Sequence, residues 1–148
     1  MKLLVILGTL IKNKRKDHDK MIKTMNIRNV NYADFDEVWA IVRSLKHPSP
    51  KMKQVTSLSP DWNLFKTYLN LKESGKWNAD SFHSIYQPQF MDQIAHDANS
   101  QRALETLKTL DAHGKNVVLV CFCPDKNLCH RSLVAQILKD MGCNVICE

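Results

Sequence analysis

Apolar positions repeat along this chain in two rhythms, and the alternation between them predicts a layered fold. Val117, Val118, Leu119 and Val120 form an unbroken apolar run behind the turn signal His113-Gly114-Lys115-Asn116, the pattern of a strand buried on both faces. Beyond a polar loop, Leu133, Val134, Ile137, Leu138 and Met141 share one helical face, and Gly142 stands where a left-handed C-cap belongs. Residues 37–44 read as a second buried strand that ends in Arg43-Ser44, and residues 22–30 alternate weakly as an earlier one. Residues 32–36 read as a turn or short helix, residues 144–147 as a short closing strand, and residues 2–7 carry a further strand pattern.

The remaining periodicity is helical. Ser59 as N-cap and Pro60 at the first position open a helix whose stripe is Trp62, Phe65, Tyr68 and Leu69, stopped by Gly75. Asn78 or Asp80 opens the next, with Phe82, Ile85, Tyr86, Phe90, Met91 and Ile94 on its apolar side, and Pro88 inside it predicts a kink or break. Ser100 is the expected cap of a third, over residues 101–112. His47-Pro48-Ser49-Pro50 reads as a loop. The expected architecture is a three-layer α/β domain with a mainly parallel sheet and a helical insertion between the second and third strands. Residues 21–148 are the expected domain, and residues 1–20 a basic N-terminal extension.

Length and charge refine this. A chain of 148 residues is one domain by size and can bury a core without cross-links. The formal charge of +6 favours phosphate-bearing partners, although Lys12, Lys14, Arg15, Lys16, Lys20 and Lys23 concentrate much of it near the N-terminus. That run is either a solvated tail or a contact for nucleic acid. Residues 1–11 are apolar but lack a cleavage signal and are too short to span a bilayer, so no membrane partner is expected. Five cysteines without the spacing of a secreted scaffold point to a reducing, cytoplasmic compartment.

Three of those cysteines, Cys121, Cys123 and Cys129, share a strand-to-helix loop with His130 and Arg131. One reading is a zinc site, although the pairing of Cys121 with Cys123 departs from the usual knuckle and adjacent Cys129 and His130 seldom share an ion. A second is nucleophilic catalysis by Cys129 or Cys121, activated by the helix N-terminus, His130 and Arg131. A third is non-covalent: Arg131, Arg43 and the helix N-terminus hold a phosphate. The Cys-to-Arg spacing of a phosphatase cradle is absent, since Arg131 lies two, eight and ten residues beyond the three cysteines. The plainest reading makes the thiols small buried hydrophobes and Arg131 a surface cation.

The strand ending in Cys121, the following Cys129-His130-Arg131-Ser132-Leu133-Val134-Ala135, the strand ending Val42-Arg43-Ser44, the run Leu58-Ser59-Pro60-Asp61-Trp62, and Trp77 with Phe82, Tyr86 and Phe90 together resemble the family called domain of unknown function 488, DUF488. The resemblance covers roughly residues 22–148 and implies a compact α/β domain without an established activity. It implies that the recurrent polar positions are Arg43, Ser59, Tyr86, Cys121, Cys129, His130 and Arg131. Cys123 departs from the family, which usually has an acidic residue there.

The functional expectation is an enzyme acting on a phosphate-bearing or nucleotide-like substrate. Cys121 or Cys129 is the nucleophile, His130 the acid or base, Arg43 and Arg131 hold the anion, and Ser59 and Tyr86 line the pocket. Neither a metal nor a cofactor is expected. The alternatives are a non-catalytic nucleotide- or nucleic-acid-binding module, and an interaction protein that uses its basic N-terminal segment. Lys46, Lys51 and Lys53 are expected to add a basic rim near Arg43.

Overall fold

The computed structural model describes residues 21–148; the strand expected at residues 2–7 and the extension 1–20 lie outside the described residues. Five strands form one sheet: β1 Ile22–Asn26, β2 Glu37–Ala40, β3 Met52–Gln54, β4 Val117–Cys121 and β5 Val145–Cys147. Their order is β3-β2-β4-β1-β5, and every neighbouring pair is parallel. With α1 Trp62–Glu73, α2 Gln87–His96, α3 Ala98–Ala112 and α4 His130–Asp140, the result is a three-layer α/β fold. All five residues of β4 are buried, as a central parallel strand requires.

The strand ends position the site. Asn26 of β1 stands opposite Cys121 of β4, and Ala40 of β2 opposite Val120. The Ile41 N–H donates to the Val120 carbonyl at 3.0 Å, one residue beyond β2. The carboxyl ends of three neighbouring strands therefore meet, which is where open parallel sheets bind ligands.

Several local expectations change. The strand expected over residues 37–44 ends at Ala40 because the next carbonyls leave the ladder for side chains: His130 takes that of Ile41 and Gln54 that of Val42. β3 was not anticipated: an edge strand has one free side and needs no apolar alternation, and Lys53 and Gln54 are exposed. Counting it, the helical stretch lies between the third and fourth strands.

Two caps shift to carboxylates, which answer the helix dipole better than hydroxyls. Asp61, rather than Ser59, caps α1 by accepting from the Leu64 N–H at 2.8 Å, while buried Ser59 donates to the Thr56 carbonyl. Asp97, rather than Ser100, caps α3, and the Ser100 hydroxyl donates to the Ser57 carbonyl at 2.6 Å. Asn78 does cap its helix, in a reciprocal pair with Ser81. Pro88 does not break the helix into separate pieces. The turn just before it, Phe82–Tyr86, widens to a π-helix in which the Gln87 N–H reaches the Phe82 carbonyl, and this makes room for a ring that an α-turn would crowd. Gly142 takes the positive φ of 91° expected of a C-terminal cap.

The aromatic residues of the helical stretch form a continuous column. Trp77 meets Tyr86 at 5.3 Å, Tyr86 stacks on Phe82 at 5.6 Å and on Phe90 at 6.1 Å, and Phe90 lies 5.7 Å from the His130 ring. Phe90 is fully buried and joins the column to α4. Phe90→Ala is expected to cost about 3–5 kcal/mol in urea denaturation. A loss below about 1 kcal/mol would mean that the column does not brace the site.

Candidate active site

Because α4 starts at His130 with Cys129 as its N-cap, His130 and Arg131 occupy the first two helical positions, directly behind the end of β4. The connecting loop is folded by Asp125, whose carboxylate accepts from the Asn127 N–H. This places the Arg131 guanidinium inside the protein, only 3 % exposed. Its Nη1 donates to Cys121 Sγ at 3.1 Å and to the Cys123 carbonyl at 2.7 Å.

A guanidinium keeps its proton under all ordinary conditions, so a buried one needs an opposite charge. Among the described residues, the ion pairs are Lys23 with Glu148, Lys53 with Glu37, and His96 with Asp92; no carboxylate pairs with Arg131. The titratable atom that its guanidinium meets is Cys121 Sγ. Charge balance favours the thiolate form of that sulfur.

The neighbouring thiols reinforce this. Cys121 Sγ lies 3.1 Å from Cys129 Sγ, and the sulfurs of Cys121, Cys123 and Cys129 all fall within 4.8 Å of one another. Hydrogen bonds from Cys123 and Cys129, with the positive surroundings, hold Cys121 well below the usual thiol range despite its burial. The same arrangement pushes the partners up: Cys123 chiefly through its bond to Cys121, and Cys129 through burial first and then that bond. The arrangement favours a single negative charge on the cluster, centred on Cys121.

His130 is anchored. Its Nε2 lies 2.6 Å from the Ile41 carbonyl, which can only accept, so this nitrogen carries the proton. Nδ1 is left as the acceptor facing Cys129 Sγ at 3.7 Å. Burial lowers the His130 pKa, which keeps the ring neutral. Tyr86 is pushed up, by burial first and then by the three cysteines, so its hydroxyl stays protonated.

Above the sulfurs lies a cavity of about 270 Å³. Phe65, Tyr68, Trp77 and Tyr86 are its aromatic walls, Cys121, Cys129 and His130 are at its inner end, and Arg43 and Lys72 are its cations; no Asp or Glu lines it. Arg43 donates to the carbonyls of Pro60 and Thr56 and lies 5.6 Å over the Trp62 ring. Of the expected site residues, Arg43, Tyr86, Cys121, Cys129 and His130 therefore come together on this cavity. Ser59 does not line it, since its hydroxyl is turned to Thr56. Arg131 sits behind Cys121 rather than in the lining. Of the expected basic rim, Lys46 lines an adjoining recess, whereas Lys53 pairs with Glu37 beside Trp39 and Lys51 lies elsewhere.

Sequence reasoning missed Lys72, Phe122 and the Ile41 carbonyl. Lys72 carried a usable signal, lying four residues beyond Tyr68 on one helix face; its Nζ is 5.7 Å from that ring. The backbone carbonyl carried none.

Chemically, three clustered sulfurs can ligate a soft ion such as Zn²⁺, or form a hydrogen-bonded thiol–thiolate set. The 3.1 Å separation of Cys121 and Cys129 is shorter than the roughly 3.8 Å between sulfurs bound tetrahedrally at about 2.3 Å to zinc. The short Cys121–Cys129 contact is a sulfur–sulfur hydrogen bond, and all three sulfurs, within 4.8 Å of one another, remain close enough to converge on one ion.

Residues 22–142 match a family model described as DUF488-N3a, the active DUF488-N3 subclade. No curated protein and no solved structure matches the chain.

Removing the cation tests the charge balance. Arg131→Met is expected to lower stability by about 3–5 kcal/mol, because it leaves a buried thiolate unpaired, and to raise the pH at which Cys121 is alkylated. A loss below about 0.5 kcal/mol with no change in that pH would show that the two groups carry no opposite charges.

Proposed function

The chain belongs to the DUF488 family, and we propose that it is an enzyme using Cys121 as a nucleophile on a phosphate-bearing, nucleotide-like substrate. The observation that carries this reading is the buried Arg131 guanidinium donating to Cys121 Sγ at the inner end of an aromatic cavity. A low-pKa thiolate beside a cation, at the end of a strand facing a helix N-cap, is the environment of a reactive cysteine. The description of the matching family model as an active subclade supports a catalytic role.

The lining suggests the orientation of the substrate. Tyr68, Trp77 and Phe65 offer faces and edges to a planar ring. The thiolate repels a phosphate, so the ring enters and the phosphate stays with Arg43 and Lys72. The anion role expected of Arg131 passes to Lys72, and Arg131 instead holds the sulfur.

In the reaction, the Cys121 thiolate forms a C–S bond to an electrophilic carbon of the substrate. The leaving group departs with its bonding pair and takes the Cys129 proton. Water then attacks the same carbon and releases Cys121 as thiolate, and its surplus proton returns to Cys129 through His130 Nδ1, 3.7 Å away. Tyr86, neutral throughout, lines the wall as a donor. No metal or cofactor enters this scheme.

The setting we propose is the reducing cytoplasm, because sulfurs as close as those of Cys121 and Cys129 would be cross-linked in an oxidising compartment. No helix among the described residues is long and apolar enough to cross a membrane. A non-catalytic nucleotide-binding module would use the same cavity without forming a bond to Cys121. An interaction role for the N-terminal segment concerns residues outside those described.

Iodoacetamide is expected to alkylate Cys121 ahead of Cys123 and Cys129 at about pH 6. A nucleoside monophosphate at about ten times its Kd is expected to slow this roughly tenfold. Labelling that is unselective, or that rises only through the ordinary thiol range, would contradict the nucleophile. Selective labelling without protection by any mononucleotide would contradict the substrate class.

A further inference from the structure

The cavity does not end at its mouth. Ser44 and Phe122 form part of its lining and also of a second recess, completed by Ile27, Leu45, Lys46 and His47. Phe122 is 53 % exposed between the two, and Trp62, 56 % exposed, flanks Arg43 on the other side. Neither recess is lined by a carboxylate, whereas Arg43, Lys72 and Lys46 bring positive charge to both.

We propose that the substrate is a nucleotide within a single-stranded nucleic acid: its base enters the aromatic cavity while the neighbouring nucleotide lies in the second recess, its base against Phe122 and its backbone phosphate near Lys46. The proposal rests on the reading of the cavity as a nucleotide site and names the substrate class of that site.

Three features carry it. A mononucleotide held in the first cavity would leave Lys46 and His47, which line only the second recess, without a contact. An aromatic ring beside a cationic, carboxylate-free track is how single strands are held, by stacking on any base and by neutralising the backbone. Finally, the thiolate at the inner end keeps phosphates outward, toward Arg43 of the first recess and Lys46 of the second, which share Ser44 in their linings. A strand has phosphates on both sides of a nucleotide and can meet both cations, whereas a base paired in a duplex cannot reach the sulfur without leaving its stack.

Protection of Cys121 from iodoacetamide in the full chain tests this, because it reports occupancy of the cavity itself and is blind to oligonucleotide held only by the basic N-terminal segment. The probes are mixed-sequence single-stranded DNA and RNA of about eight nucleotides, compared with the four nucleoside monophosphates. One of the oligonucleotides is expected to protect at a concentration at least about tenfold lower than any mononucleotide, with an advantage that shrinks as salt rises. In Lys46→Glu and in Phe122→Ala, the ratio of oligonucleotide to mononucleotide affinity is expected to fall about tenfold. Mononucleotide protection with no oligonucleotide advantage would overturn the strand and leave the nucleotide-site reading standing. Protection by neither would overturn both, and an unchanged ratio in the two variants would remove the second recess from the site.

Discussion

A positive charge that cannot be neutralised is enclosed behind the end of the central strand, and the surrounding structure answers to it. Arg131 is almost wholly buried, donates to Cys121 Sγ and the Cys123 carbonyl, and leaves its Nε without a partner. Enclosing a lone guanidinium would cost several kcal/mol even after relaxation. An opposite charge beside it offsets that cost, and the Cys121 sulfur is the titratable group placed to supply it. The thiols of Cys129 and Cys123 then arrange themselves as donors, and the Asn26 side chain, from the neighbouring strand, donates to the same Cys123 carbonyl that receives Arg131.

The same constraint links fold to chemistry. In the proposed reaction, a thiolate that balances an interior cation is held in readiness at no further desolvation cost when a substrate arrives. Parallel register places it at the carboxyl edge of the sheet beside Ile41, whose carbonyl leaves the ladder to fix the His130 ring. The aromatic column from Trp77 to Phe90 ends on that ring, so the walls of the cavity and its proton acceptor belong to one packed unit. Strands, helix start and aromatic column are each ordinary; their meeting point is what concentrates charge.

The strand, loop and helix around Cys121 were legible because an unbroken β-branched run and a helical stripe differ sharply in period. The family was legible in the Cys129-His130-Arg131 run. Helix starts were read one cap too early or too late, since Ser59 and Ser100 satisfy the usual rule while nearby Asp61 and Asp97 bind the helix N–H groups better. β3 escaped notice because one methionine and two polar residues at a sheet edge show no period. Within the site, the chain showed which residues were available and not which faced one another. Arg131 was expected to hold an anion, and what the chain could not show is that its guanidinium is buried against Cys121 Sγ. Cys123 stood out as a departure from the family and proves to be the third member of the sulfur cluster.

The most direct measurement is an acid titration of the ultraviolet thiolate absorbance of the whole chain, with Cys121→Ser as the reference. One thiolate per chain that persists below about pH 6 and is missing from Cys121→Ser is the result expected of a sulfur that balances Arg131. Absorbance that develops only near about pH 8.5, as in a free thiol, or that is unchanged in Cys121→Ser, would contradict it.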